Sequence, residues 1–253
     1  MAEHDVEPLN IDAILSKPVF NRVKKVGVEL EGAWKVIPQG AKLEHDGSVF
    51  GGDPPGGHRI GEIPIKVLPA QLAGQLKKFY PALVNETCGM HIHMSFETVW
   101  HYTLLMSPEY QETVIHYLLK WAKEEGLDAR HPIWSRLKNQ NPFCQKKFWP
   151  DDQVQAERKD HNRERQGHRY TMIHYCWRLK TIECRVLPMM NTPELATKAI
   201  KRVLDVTNAC LMTLAKTRKR KIEGKVILPG GEVYEEYVEV EVPLTPSQRR
   251  LLL

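Results

Sequence analysis

Three short segments share one pattern, and together they limit the folds open to this chain. In "GVELEG" (Gly27–Gly32), "GMHIHMS" (Gly89–Ser95) and "TIECRVLP" (Thr181–Pro188), two polar residues stand one residue apart inside an apolar run. The pairs are Glu29 and Glu31, His91 and His93, and Glu183 and Arg185. A period of two marks a β-strand with one buried face, because successive side chains point to opposite sides. Each pair therefore projects together, while Val28, Leu30, Ile92, Met94, Ile182 and Cys184 turn towards a core. Glu62 in "GEIPI" has the same setting.

Around these segments the chain reads as interspersed strands and helices. Strands are expected at Lys25–Glu31, Ile60–Val67 and Met90–Phe96, the second at an edge or a bulge because of Pro64. A Gly-, Pro- and Asp-rich stretch, residues 38–59, predicts a loop with "HDGS" as a turn. Pro69–Tyr80 predicts a short helix and His101–Gly126 a long one. Tyr170–Tyr175 and Thr181–Leu187 predict two strands of a hairpin. The "NTPE" cap at Thr192 opens a helix to about Lys216, and the acidic tail Val226–Val242 reads as strand. Residues 130–168 give no clear pattern. Tight hairpins between strands favour an α+β fold, a curved and mainly antiparallel sheet flanked by helices. Residues 1–24 read as a lead-in and 25–253 as one domain.

If the paired segments lie in one sheet, Glu29, Glu31, Glu62 and Glu183 converge on one face. Each pair of like charges at about 4 Å costs roughly 4 kcal/mol at an effective dielectric near 20. A divalent ion is the simplest remedy. Several carboxylates with one imidazole suit Mg²⁺ or Mn²⁺ better than zinc. Arg185 beside such ions suits a phosphate, and the set describes a nucleotide-dependent phosphoryl-transfer site.

Composition narrows the setting. The chain has 253 residues, 42% hydrophobic and 26% charged, enough for a sizeable core. No apolar run approaches the ~18 residues of a membrane span. The acidic start "MAEHDVEPLN" lacks the pattern of a signal peptide, so a cytoplasmic location is expected. Five scattered cysteines without a CxxC pair argue against a disulfide framework or a zinc knuckle. The net charge of +5 permits an anionic partner without demanding one.

These segments resemble motifs of a known family. "CGMHIHMSF" is similar to the Gly-Met-His-x-His-x-Ser motif of glutamine synthetases, and "TIECRVLP" to their Glu-x-Arg strand. The order of Glu29/Glu31, Asp46/Ser48, Glu62, His91/His93 and Glu183/Arg185 resembles the amidoligase branch of the glutamine synthetase and glutamate–cysteine ligase fold. The resemblance covers about residues 25–205. It implies an ATP-dependent carboxylate–amine ligase that forms an amide through an acyl phosphate. By carry-over, Glu29, Glu31, Glu62, His91 and Glu183 hold Mg²⁺ or Mn²⁺, and Arg185 touches the transferring phosphate or the carboxylate. His93, Ser95, Arg169 and Arg178 would lie near the nucleotide, and Asp46 and Ser48 near substrate. Glu62, Glu183 and Arg185 form the catalytic set. The substrates implied are small-molecule or peptide carboxylates and amines.

Two other readings are open. A cupin-like metal enzyme would use His91, His93 and Glu97, although a helix-like segment follows at once. A nucleic-acid-binding module would use the basic run Lys216–Lys221, including Lys219 and Arg220. Such a run is also the ordinary cationic end of a helix.

Overall fold

The structure is a computed structural model that describes residues 6–17, 21–97, 99–147, 170–176, 179–217, 220–227 and 233–240. Arg169, Arg178, Lys219 and most of the 130–168 stretch lie outside the described residues. The chain divides into two compact units, Met1–Cys210 and Leu211–Leu253.

In the first unit, five strands form one antiparallel sheet: β1 (Lys25–Trp34), β2 (Arg59–Val67), β3 (Gly89–Ser95), β4 (Ile173–Cys176) and β5 (Thr181–Pro188). Their order is β2-β1-β3-β5-β4. The α+β class with an antiparallel sheet flanked by helices is as expected. The sheet follows from the alternation: Val28, Leu30, Ile92, Met94, Ile182 and Cys184 are all buried hydrophobic residues on one side. Pro64 sits in β2, an edge strand, where its missing N–H costs no ladder bond.

The helices are α1 (Asp12–Leu15), α2 (Leu72–Phe79), α3 (Val99–Leu105), α4 (Pro108–Glu124), α5 (Ile133–Leu137) and α6 (Pro193–Thr217). Helices α4 and α6 are joined by Tyr110 Oη and Thr207 Oγ1 at 2.7 Å. Thr207 Oγ1 also lies 3.6 Å from Met94 Sδ, so the two helices meet the apolar face of β3. Thr192 caps α6 as its sequence predicts, its Oγ1 accepting from Leu195 N at 3.1 Å. Among the described residues, no helix is long and apolar enough to cross a membrane.

Three expectations change. The helix foreseen over His101–Gly126 is two, broken at Ser107. The following Pro108 forces Ser107 into an extended conformation, ψ 147°, and its hydroxyl then caps α4 at Tyr110 N. The tail foreseen as one strand is instead a hairpin in the second unit, β6 (Arg220–Ile227) with β7 (Val233–Val240). The basic run is therefore not one helix end, since Arg220 and Lys221 belong to a strand whose register sets Lys221 opposite Glu239. In the lead-in, Ile11 is fully buried and its N–H donates to Tyr117 Oη at 3.0 Å, and the segment falls within the first unit.

One edge contact shapes the site. The loop after β1 returns along β2, with Glu44 N to Glu62 O at 2.8 Å and Glu62 N to Glu44 O at 2.9 Å. That approach needs Gly61, whose φ is +149° and where any Cβ would run into the Glu44 carbonyl. Gly61→Ala is expected to cost roughly 2–4 kcal/mol from backbone strain and overpacking, read as a lowered urea midpoint at unchanged m-value.

Candidate functional site

The register brings the polar pairs together. Across β2, β1 and β3, Glu62 is the Cα partner of Glu31, and Glu29 of His91. Across β3, β5 and β4, His93, Glu183 and His174 form one row. These side chains share the sheet face opposite the helical core, and most are buried: Glu31, His91, His93, His174 and Glu183.

His91 sits at the centre. Its Nδ1 is 3.0 Å from Glu29 Oε2 and 3.8 Å from Glu183 Oε1, and its Nε2 is 3.2 Å from Glu31 Oε1. His93 Nε2 lies 3.2 Å from Glu29 Oε1, and its Nδ1 3.0 Å from Thr181 Oγ1. The glycine of the motif also contributes, since Gly89 N donates to Glu31 Oε2 at 2.5 Å. Glu183 is flanked by Arg185 Nη1 at 2.6 Å and His174 Nε2 at 3.2 Å. Arg185 thus engages a carboxylate on its own strand.

These contacts distribute the charge unevenly. Burial pushes the Glu29 carboxyl up, but the hydrogen bonds and charges of His91 and His93 outweigh it and hold the group at about 2. Burial likewise opposes ionisation of Glu183, yet His174, Arg185 and His93 hold it well below the usual carboxylate range. His93 is pushed up to about 10; burial works against this, while Cys176, Glu29 and Glu183 favour its cation. Glu62 goes the other way, to about 7, through burial and the charges of Glu29, Glu31, Asp46 and Glu44. The carboxylate crowding is relieved by imidazole and guanidinium near β3 and β5, and persists at Glu62.

The donor chemistry fits divalent cations at that end. Glu29, Glu62 and His91 each offer a ligand atom, all within 4.8 Å of one another, and so do Glu31, Asp46 and Glu62. Both sets are dominated by oxygen, as Mg²⁺ or Mn²⁺ requires, and Glu62 belongs to both. Asp46 accepts from Ser48 N at 2.8 Å and Ser48 Oγ at 2.7 Å, which fixes the "HDGS" turn. The turn delivers Asp46 to the carboxylates, a place beside the metal-type ligands. Ser95 and His93 border a cleft of about 270 Å³ with Gly27, Pro64, Leu179 and Thr181. Glu97 is not brought to the histidines: it is exposed and pairs with Lys24 at 2.9 Å.

Three residues join the site that the sequence pattern did not single out. His174 and Cys176 repeat the one-residue spacing in "IHYC", so their signal was present. Arg136, on α5, had none. Its guanidinium is almost fully buried over Gly89, where a Cβ would meet Nη1 at 3.1 Å and His91 Nε2 at 3.1 Å. Nη1 donates to Arg185 O at 3.1 Å. There β3 and β5 slip register: Met90 pairs with Leu187 and Ile92 with Cys184, so Arg185 and Val186 together oppose His91. Arg136 satisfies a carbonyl that this bulge exposes, and so helps to hold the strand that carries Arg185.

Comparison with protein-family models, with curated proteins and with solved structures gives no match for this chain.

Two measurements check these assignments. Glu62 titrates higher folded than its ordinary 4.5, so its contribution to stability is complete below about 4.5 and is lost as pH rises through about 7. Without divalent ions, Glu62→Gln is expected to gain in melting temperature relative to the wild-type chain from pH 5 to pH 8; a pH-independent difference contradicts the assignment. Arg136→Ala, which strands the carbonyls it serves and opens a cavity, is expected to cost about 2–4 kcal/mol in chemical denaturation.

Proposed function

We propose that the chain is an ATP-dependent carboxylate–amine ligase, with a small-molecule or peptide carboxylate and an amine as substrates. The observation that carries this reading is the convergence of Glu29, Glu31, Glu62, His91, Glu183 and Arg185 on one face of an antiparallel sheet. The same residues in the same order make up the resemblance to the amidoligase branch of the glutamine synthetase-like fold.

In this reading the carboxylate oxygen attacks the γ-phosphorus of ATP and ADP leaves. The amine then attacks the acyl carbon, phosphate leaves, and the nitrogen gives up its proton as the amide forms. Mg²⁺ or Mn²⁺, held by Glu29, Glu62 and His91 and by Glu31, Asp46 and Glu62, would neutralise the polyphosphate and the entering carboxylate. Arg185 supports charge on the transferring phosphoryl group, and Glu183, 2.6 Å from it, sets its orientation. The cleft beside His93 and Ser95 supports a nucleotide site: Gly27 keeps its floor low, and Pro64 and Leu179 give it apolar walls. No protein nucleophile is needed. Cys88 and Cys184 fit none, since burial pushes their thiols up to about 11 and about 12.

The test is ADP release with Mg²⁺ over a panel of carboxylates and amines, alongside calorimetric ATP binding. Release is expected only when both substrates are present. Glu62→Gln and Arg185→Lys should each lower it roughly 100-fold. Absence of ATP and ADP binding in the presence of Mg²⁺ overturns the reading.

A further inference from the structure

The β4 end of the polar face has a donor set unlike the rest. His93, Cys176 and Glu183 each offer a ligand atom within 4.8 Å of the other two, and all three residues are buried. The sheet builds this group directly. His93, Glu183 and His174 are Cα partners across β3, β5 and β4, and Cys176 follows His174 by two residues, on the same face. His174 Nε2 lies 3.2 Å from Glu183 Oε2.

We propose that His93, Cys176 and Glu183 form a zinc site, separate from the oxygen-rich end of the face. A nitrogen, a sulfur and an oxygen from three side chains make the ligand set of a three-protein-ligand zinc centre, with a fourth position for water. Sulfur selects the ion: a thiolate is a soft donor that Mg²⁺ and Mn²⁺ do not favour and Zn²⁺ does. Bond lengths of about 2.0–2.3 Å place tetrahedral donors roughly 3.4–3.7 Å apart. Donors within 4.8 Å of one another therefore have at most about 1.4 Å to close, within reach of side-chain rotation. His174 supplies the outer partner that zinc carboxylates commonly have, at the second oxygen of Glu183. A ring bound to zinc gives up one of its present contacts, Nε2 to Glu29 at 3.2 Å or Nδ1 to Thr181 Oγ1 at 3.0 Å, and the charge of the ion then offsets the neighbouring carboxylates in its place. Binding displaces the thiol proton of Cys176 and leaves its sulfur as thiolate. Glu183 also adjoins His91, at 3.8 Å, so the two ends of the face share it.

The zinc site does not rest on the ligase reading, and its test uses neither nucleotide nor turnover. Cobalt(II) replaces zinc at such sites and reports a thiolate ligand through a near-ultraviolet charge-transfer band. Titrating the full metal-free chain with Co²⁺ should produce that band, saturating at one equivalent. One equivalent of Zn²⁺ should abolish it, and excess Mg²⁺ should leave it in place. Cys176→Ala should lose the band, while Cys210→Ala, which alters a cysteine on α6, should keep it. Circular dichroism of the Cys176→Ala chain shows whether it is folded. If it is not, Glu183→Gln and His93→Gln take its place, each expected to weaken Co²⁺ binding at least tenfold. No band in the wild-type chain, or a band that survives in folded Cys176→Ala, overturns the proposal.

Discussion

The order of the polar face depends on one carboxylate. Glu29 stands on β1, between the strand that carries Glu62 and the strand that carries the two histidines, and both histidines reach it, at 3.0 and 3.2 Å. Without those imidazoles, Glu29 and Glu31 on β1 and Glu62 on β2 would share one face with nothing to offset the charge of the first two. Each such pair costs several kcal/mol at the effective dielectric of a protein. The histidines are therefore structural before they are anything else. They let an acidic strand occupy the middle of a sheet, and they confine the remaining repulsion to Glu62 at its rim.

The register has no freedom to relieve this. A slip of one residue would carry Glu29 and Glu31 into the helical core and expose Val28 and Leu30. The apolar face thus locks the polar one. Where the ladder slips, opposite His91, it is held by Arg136 from outside the sheet. Beside that bulge Glu183 comes within 3.8 Å of His91, while β5 continues with Val186 and Leu187 buried. Packing and site geometry are two consequences of one alignment.

How much of this could be read from the sequence follows from the range of the interactions involved. Alternation is local, so the strands, their buried faces and the shared side of Glu29, Glu31, Glu62, His91, His93 and Glu183 were legible. The cap at Thr192 and the Asp46 turn were legible for the same reason. The break at Ser107 was also local; the apolar periodicity on either side of Pro108 masked it. The strand order and the bulge depend on pairings between distant segments, and no spacing announces those. Arg136 shows the limit most clearly. It stands in "IWSRL" like any helical arginine, and only the fold carries it over Gly89. Cys176 shares the one-residue spacing of "IHYC", but its nearness to His93 and Glu183 shows only once β4 lies against β5.

The arrangement around Glu183 bears on how Arg185 could serve an incoming anion. A guanidinium bound to a buried carboxylate is not free to bind another group unless the carboxylate keeps a cationic or hydrogen-bonding partner. Stranding Glu183 would cost several kcal/mol. Here the partner is already in place: His174 lies 3.2 Å from Oε2, while Arg185 engages Oε1. The two oxygens are thus divided between a residue that can stay and a residue that can turn. Lysine at position 185 would keep the charge but lose the planar fork that lets one end hold Glu183 while the other meets a phosphate or carboxylate. Replacing His174 would act on the same equilibrium from the other side, by tightening the hold of Glu183 on Arg185. On the ligase reading, His174 thus belongs to the machinery although it touches no substrate, because it determines how readily Arg185 is released.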